Sequence, residues 1–407
     1  MKHKLKLLIL SQWCYPEPDA RILTMASELN ERGHDVQILT GFPNYPGGNI
    51  YPGYKLKLFQ KEYLNGVEVI RLWLFPSHDK SAIKRILNYM SFSLSALFLA
   101  PFLIKRPRVI YVYHPPATVA LPALYLKFIY KAKLVYDIQD LWPESLSATR
   151  MLSNQKILNL VNLFQNFIYR NATKITVISN GFRENLISKG VNPEKIEVIY
   201  NWSIPLGDDN SNKSILSEHT EKFILLFAGN IGEAQGLEVV IHAAEMAQKH
   251  DNLNDVQFVL LGTGSKKSEL MEMTKKLSLS NISWLDRVPP SEVNSYLKKA
   301  DVLLINLLNL PLFKITIPSK TQSYMMIGKP ILAGVEGDTK DLVEQSESGL
   351  SFIPGNSTSL IENLLILKNK TKSELEIMGE NGKLFYERNL GVKAGVSRFE
   401  SIFLEIK

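Results

Sequence analysis

Apolar residues along the chain fall into short uninterrupted runs, separated by longer stretches in which they return every three or four positions. The first runs are Leu5–Leu10, Val36–Leu39, Val67–Leu72, Val109–Tyr113, Leu134–Tyr136, Ile175–Ile178 and Ile196–Ile199. Runs of three to six aliphatic and β-branched residues are what strands buried on both faces require. The stretches between them have helical spacing, and strand-helix alternation predicts a parallel sheet, because each parallel connection must cross over. Pro205, Gly207 and the polar run Asp208–Lys213 then break the periodicity and predict a linker over 203–222. The alternation resumes with Phe223–Phe227, Val256–Leu261, Ile282–Leu285, Val302–Ile305 and Ile331–Ala333, with helical segments such as Gly236–His250 between them. The expectation is two α/β, doubly wound parallel-sheet domains, 1–202 and 223–390, facing a cleft at the carboxyl ends of their strands. Lys2, Lys4 and Lys6 before Leu7–Leu10 imitate a signal peptide, but the run ends at Ser11, too short for an h-region, and reads as a first strand.

Composition narrows this picture. With 407 residues, 45% apolar and 21% charged, the chain can fill two cores and is neither disordered nor low in complexity. Its single cysteine, Cys14, permits no internal disulfide and no cysteine-based zinc site, and predicts a reducing, cytoplasmic setting. The net charge of +7 is uneven. Residues 1–205 hold 25 Lys and Arg against 14 Asp and Glu, and the remainder 22 against 26. Basicity confined to one half predicts an anionic partner or surface for that half rather than a nucleic-acid-binding protein. Ile86–Ile104 adds 19 residues without a charge, bracketed by Lys84-Arg85 and Lys105-Arg106. Asn88, three serines and Pro101 argue against a membrane span, and a helix partly buried and partly dipped into an anionic membrane surface fits better. Tyr125, Phe128 and Tyr130, interleaved with Lys127, Lys131 and Lys133, point the same way; a plain core helix is the competing reading for both segments.

Chemistry-bearing residues gather where strands end. Gly229, Asn230, Gly232, Gln235 and Gly236 form a glycine-rich turn between a strand and a helix, where backbone amides and a helix N-terminus suit a diphosphate. The spacing is neither the dinucleotide fingerprint nor the P-loop, so an ordinary strand-to-helix turn remains open. Gly262 and Gly264 follow the next strand, and Pro318-Ser319-Lys320, ahead of Ser323, opens a further helix with a cation. In the first half, Asp137, Gln139, Asp140, Trp142 and Glu144 cluster after one strand, suited to acid/base or hydroxyl-binding work, and His114 follows another. There is no Asp-x-Asp motif and no close spacing of the seven histidines, so no obligatory metal or other cofactor is expected.

Together, Tyr15-Pro16-Glu17 with the loop to Arg21, Glu31–Val36, Asp137–Glu144, Gly229–Leu237, Gly262-Thr263-Gly264 and Pro318–Pro330 make the chain resemble the GT-B, family-4 retaining glycosyltransferases over nearly its whole length. It looks most like the bacterial O-antigen and capsule branch that includes N-acetyl-L-fucosamine transferases. The resemblance implies two Rossmann-like domains, with a nucleotide-sugar, UDP-linked, held by the C-terminal one. Gly229, Asn230, Gly232, Gln235, Gly236, Gly262 and Gly264 would line the diphosphate and sugar, Arg287 and Val288 would meet the base, and Ser319, Lys320 and Ser323 the leaving diphosphate. Asp140, Asp137, Gln139 and His114 would serve catalysis, with Asp19, Ala20, Arg21, Trp142 and Glu144 on the acceptor side. The segment 391–407 would cross back onto the first domain.

Departures from the family pattern are specific. Asn230 and Gln235 stand where many members carry Arg and Lys, Ile315 and Ser323 where a pair of glutamates is usual, Gln139 where a His often precedes the Asp, and Asp19-Ala20 where a Gly-Gly loop is common. The implied activity is retaining transfer from a UDP-sugar to a lipid diphosphate-linked glycan, in O-antigen or capsular polysaccharide (lipopolysaccharide-type) biosynthesis, by a peripheral protein at the inner face of the plasma membrane. A UDP-sugar 2-epimerase of the same fold and a non-catalytic sugar-nucleotide-binding subunit are the alternatives.

Overall fold

A computed structural model describes residues 4–18, 20–77, 82–148, 154–204 and 222–407. The chain divides into two compact units, Met1–Tyr200 with Val392–Lys407, and Asn201–Gly391. Most of the linker expected at 203–222 lies outside the described residues.

The first unit is built on an eight-stranded sheet of β1 (Lys6–Leu10), β2 (Asp35–Gly41), β3 (Phe59–Leu64), β4 (Val67–Leu72), β5 (Val109–His114), β6 (Lys133–Ile138), β7 (Lys174–Val177) and β8 (Ile196–Val198). Their order is β3-β4-β2-β1-β5-β6-β7-β8, parallel except for β3, which pairs antiparallel with β4. β1, β5 and β6 are buried along nearly their whole length, which is why they read as continuous apolar runs. β3 was not expected. It is an edge strand of alternating exposed and half-buried residues, closed onto β4 by Asn65 and Gly66, both at positive φ as a tight hairpin turn demands.

The second unit holds β9 (Phe223–Ala228), β10 (Val256–Leu261), β11 (Ile282–Leu285), β12 (Val302–Asn306), β13 (Ile331–Gly334) and β14 (Gly349–Phe352). All are parallel, in the order β11-β10-β9-β12-β13-β14. Numbered within the unit this is 3-2-1-4-5-6, so the chain reverses direction at β9 and β12, and the crevice for a ligand opens beyond the carboxyl end of β9. Its core packs Phe227, Phe258 and Leu260 of the sheet against Val240 and Ala244 of the Glu238–Gln248 helix.

Two helices of the first unit carry functional weight. The Ala82–Leu103 helix is, over Ile83–Leu103, long and apolar enough to cross a membrane by length and composition alone. One of its faces nevertheless belongs to the domain. Phe92, Ala96 and Ala100 are fully buried, and the Asn88 amide is held in the interior by Gln12, Asn44 and the Phe75 carbonyl. The Val392–Ile406 helix packs on this unit through Phe399 and Phe403 against Tyr111. Glu400 accepts from Arg32 at 2.6 Å and lies 2.8 Å from His34 Nε2, while His34 Nδ1 accepts from the Leu5 amide. With its other nitrogen an acceptor, His34 donates to Glu400 in its neutral form. Glu400→Ala removes the acceptor shared by these two groups and is expected to lower unfolding stability by about 1–3 kcal/mol in urea titration.

Candidate functional site

The crevice at the switch point of the second unit is a cavity of about 390 Å3. Its floor is made by two glycine turns that interlock. The Gly229 amide donates to the Leu261 carbonyl, Ile231 to Thr263, and Gly262 to Leu285. Gly229 and Gly262 adopt φ of +138° and +148°, conformations that side chains disfavour. A Cβ on Gly262 would lie 1.9 Å from the Gly229 carbonyl oxygen, and one on Gly229 would lie 2.6 Å from Lys320 Cε. These positions are glycine because backbone meets backbone, and backbone meets a lysine stem, with no room between.

Lys320 stands in the first turn of the Ser319–Ile327 helix, whose tyrosine, Tyr324, is hydrogen-bonded through its hydroxyl to the Ala228 backbone. That bond fixes the helix against the end of β9. The Lys320 ammonium sits 3.5 Å from the centroid of the Phe227 ring, and no acidic side chain lines the cavity. A ring face stabilises a cation only modestly. Burial accordingly pushes the Lys320 pKa down to about 7. The free amides at the helix N-terminus add positive potential, so an anion placed here would restore the charge on Lys320.

Eight residues singled out in the sequence, Gly229, Asn230, Gly262, Arg287, Val288, Ser319, Lys320 and Ser323, line this one cavity. Gly232, Gln235, Gly236 and Gly264 do not. The Gln235 side-chain oxygen is engaged within its own turn by the Gly232 amide at 3.1 Å, and the Gln235 and Gly236 carbonyls accept from Asn306. They shape the turn beside the cavity rather than face into it, and Gly264 packs against the Ile231 backbone. Sequence reasoning missed the opposite wall, Pro290, Val293 and Leu297 with Leu261, an apolar slot suited to a flat ring. The Pro289-Pro290 pair was its signal, since it turns the chain after β11 into the helix that supplies these residues.

In the first unit the predicted residues separate into two kinds. Asp137 is fully buried and accepts from Tyr111, Thr176 and Gln139, each at 2.6 Å. Burial raises its pKa and these donors oppose the rise. It ties β5, β6 and β7 together from within, which corrects the expectation that it meets a substrate. His114 is likewise buried, its Nε2 3.2 Å from the Gln165 amide nitrogen, its ring against Trp142, and its pKa pushed down to about 3 by burial. It is a core histidine whose burial favours the neutral form, which corrects the expectation that it stands open to a substrate. Asp140, by contrast, lies just past the end of β6, half-buried, with Trp142 donating to it at 3.3 Å and its pKa raised by burial. Gln139 links Asp137 to Arg21, which also donates to Tyr113. Glu144 pairs with Lys189, Ala20 precedes the Arg21–Glu31 helix, and Asp19 lies outside the described residues.

A polar centre that the sequence did not reveal lies at the ends of β1 and β2. Glu17 accepts the backbone amides of Cys14, Asn44 and Tyr45, and burial pushes its pKa to about 7 against those donors. Fully buried Arg71 binds Glu62 and the Tyr15 carbonyl and lies over the Tyr54 ring. Among the described residues no group of three or more His, Cys, Asp or Glu is placed to hold a metal ion.

Residues 18–202 match the family described as Glycosyl transferase 4-like domain, and residues 208–385 the family described as Glycosyl transferases group 1. Over 296 residues the chain is 28% identical to "Putative colanic acid biosynthesis glycosyl transferase WcaI" of Escherichia coli K12, covering 69% of this chain and 70% of that one. It is 24% identical over 253 residues to "Probable glycosyltransferase WbjE" of Pseudomonas aeruginosa, covering 60% and 62%. Among solved structures, Anabaena HepE in complex with UDP superposes with a TM-score of 0.68 at 16% identity, over 98% of this chain and 100% of that one. Its fold is the two-domain GT-B architecture.

Because Lys320 is depressed from 10.5 to about 7, its desolvation opposes folding below its unfolded pKa, fully so below about 7, and ceases to do so above about 10.5. Lys320→Met is therefore expected to raise the thermal midpoint of the ligand-free protein at pH 7, with the gain vanishing toward pH 10.5, as scanning calorimetry would show.

Proposed function

From the match of residues 18–202 to the Glycosyl transferase 4-like domain and of residues 208–385 to the Glycosyl transferases group 1 family, we propose that the chain is a glycosyltransferase that moves a sugar from a UDP-sugar to a lipid diphosphate-linked glycan, with retention. The observation that carries the donor half of this reading is Lys320, a desolvated ammonium in a cavity without carboxylates. The diphosphate would lie over the interlocked turns at Gly229 and Gly262, within reach of the Lys320 ammonium and the helix N-terminus. The uracil would enter the slot between Val288, Val293 and Leu297, beside Arg287. As the bond to the sugar breaks, charge grows on the diphosphate, and groups already oriented there stabilise it without reorganising. The protonated ammonium, the amide dipoles and Thr263 supply this in place of the Arg and Lys that Asn230 and Gln235 replace, and no metal is called on.

Asp140 is the group we assign to the acceptor. It sits beyond the strand, partly accessible, with a raised pKa suited to accepting a hydroxyl proton, while Asp137, Gln139 and Arg21 beneath it hold the strand end in place. The place of WcaI in colanic acid biosynthesis supports an extracellular-polysaccharide glycan as product, of the O-antigen or capsule kind. N-Acetyl-L-fucosamine is the sugar proposed from the sequence resemblance.

Calorimetric titration with UDP is the direct test. Wild type is expected to bind with or without EDTA, Lys320→Ala to bind at least about 30-fold more weakly, as loss of a charge-assisted contact implies, and Asp140→Asn to bind normally while turnover on a lipid-linked acceptor falls about 100-fold or more. Unchanged UDP affinity in Lys320→Ala would remove the donor assignment.

A further inference from the structure

Three helices of the first unit, Ala82–Leu103, Ala120–Tyr130 and Gln155–Asn171, pack side by side and cover one face of the sheet. Their sequences contain no Asp or Glu at all, in a chain that carries 40 such residues. They do carry Lys84, Arg85, Lys127, Lys156 and Arg170. Surface helices of a water-facing domain ordinarily place charge of both signs outward. These place apolar side chains there instead. Phe98 and Phe102 of the first helix, Phe128 of the second and Leu160, Leu163 and Phe167 of the third are exposed, Phe102 and Phe128 by 85% and 84%. Exposed large apolar side chains gathered on neighbouring helices mark an interaction surface.

The rim of this face identifies its partner. The carboxyl-terminal ends of the first two helices are joined by the Tyr130 hydroxyl donating to the Pro101 carbonyl at 3.0 Å, which sets Phe102 and Phe128 close to one corner. Next to that corner is a groove of about 410 Å3 lined by Lys6, Arg106, Arg108, Lys131 and Lys133, with no acidic side chain in its wall. Arg106, Arg108, Lys131 and Lys133 form no ion pair among the described residues. By contrast, neighbouring Lys105 is neutralised by Asp35 and Glu68. A second copy of the chain docked symmetrically on this face would bring the cationic rim against itself. A sheet of anionic headgroups above an acyl phase satisfies both parts together.

We propose that the outer face of these three helices rests on a bilayer rich in anionic lipid, with the exposed phenylalanines and leucines at the acyl boundary and the groove cations at the headgroup phosphates. The apolar helix therefore lies along the interface while its other face, through Asn88, Phe92 and Ala96, stays in the domain core. The inference stands on the first unit alone and does not require the sugar-transfer reading.

The test is co-sedimentation of the full chain with phosphatidylcholine vesicles containing about one third phosphatidylglycerol, against phosphatidylcholine alone. Wild type is expected to sediment with the anionic vesicles and to be released by high salt. The pair Phe102→Ser with Phe128→Ser, and the quadruple Arg106→Glu, Arg108→Glu, Lys131→Glu and Lys133→Glu, are each expected to weaken partitioning at least about tenfold. Circular dichroism melts check that each variant folds. Phe128→Ser alone, at a side chain that is almost wholly exposed, repeats the measurement should the multiple variants fail to fold, and is expected to weaken partitioning several-fold. Lys320→Ala is expected to sediment like wild type while losing UDP, so failure of either reading leaves the other standing. No binding to anionic vesicles, or partitioning indifferent to all these changes, overturns the proposal. A dimer by light scattering that the phenylalanine variants return to monomer also overturns it, in favour of a second copy on this face.

Discussion

The second unit is organised around the Lys320 amine, for which the described residues supply no counter-ion. Lys320 is carried into the crevice by the first turn of its helix, and Tyr324, one turn further along that helix, locks it to the end of β9. The lysine stem occupies the space that a side chain at position 229 would take, and the Gly229 carbonyl in turn lies so close to Gly262 that position 262 accepts no Cβ. A charge desolvated in this way costs stability until something anionic arrives. The glycines, the helix register and the depressed pKa are thus parts of one arrangement, built around a buried cation. The same logic accounts for the departures in the glycine-rich turn. Asn230 and Gln235 bring no charge of their own, and Gln235 braces the Gly232 amide.

The first unit solves a different problem with buried polar groups. Asp137 gathers three donors from three strands, Glu17 gathers three amides from two loops, and Arg71 is enclosed between Glu62, Tyr15 and Tyr54. Each is satisfied internally, as burial requires. They hold the loops at the carboxyl edge of the sheet in place, and beyond the strand Glu144 is paired with Lys189 while Asp140 stands partly accessible. Distance from the strand end, more than residue type, separates a scaffold carboxylate from a partly accessible one.

Much of this was legible in the sequence, and the rest was not for identifiable reasons. Strands buried on both faces announce themselves as apolar runs, so the two parallel sheets were readable, whereas β3 and β14 were passed over. β3 is an exposed edge whose alternation is mild, although Asn65-Gly66 signalled its hairpin, and β14 is a four-residue Gly-Leu-Ser-Phe run. The glycine turns and Lys320 were visible because their residue types carry the chemistry. The apolar wall of Val293 and Leu297 was not, since a helix lining a slot has the same periodicity as one packed on a core. His114 and Asp137 looked reactive because a sequence shows that they lie near a strand's end but not that Gln165, Tyr111 and Thr176 already occupy them.

The claim on which the rest depends is that Lys320 waits largely uncharged above neutral pH and takes up a proton when a diphosphate binds. Titration calorimetry with UDP at about pH 8.5, repeated in buffers of different ionisation enthalpy, counts that proton directly. The account predicts uptake approaching about one proton per UDP in wild type and none attributable to this site in Lys320→Met. Binding of UDP by wild type with no proton exchanged would contradict it.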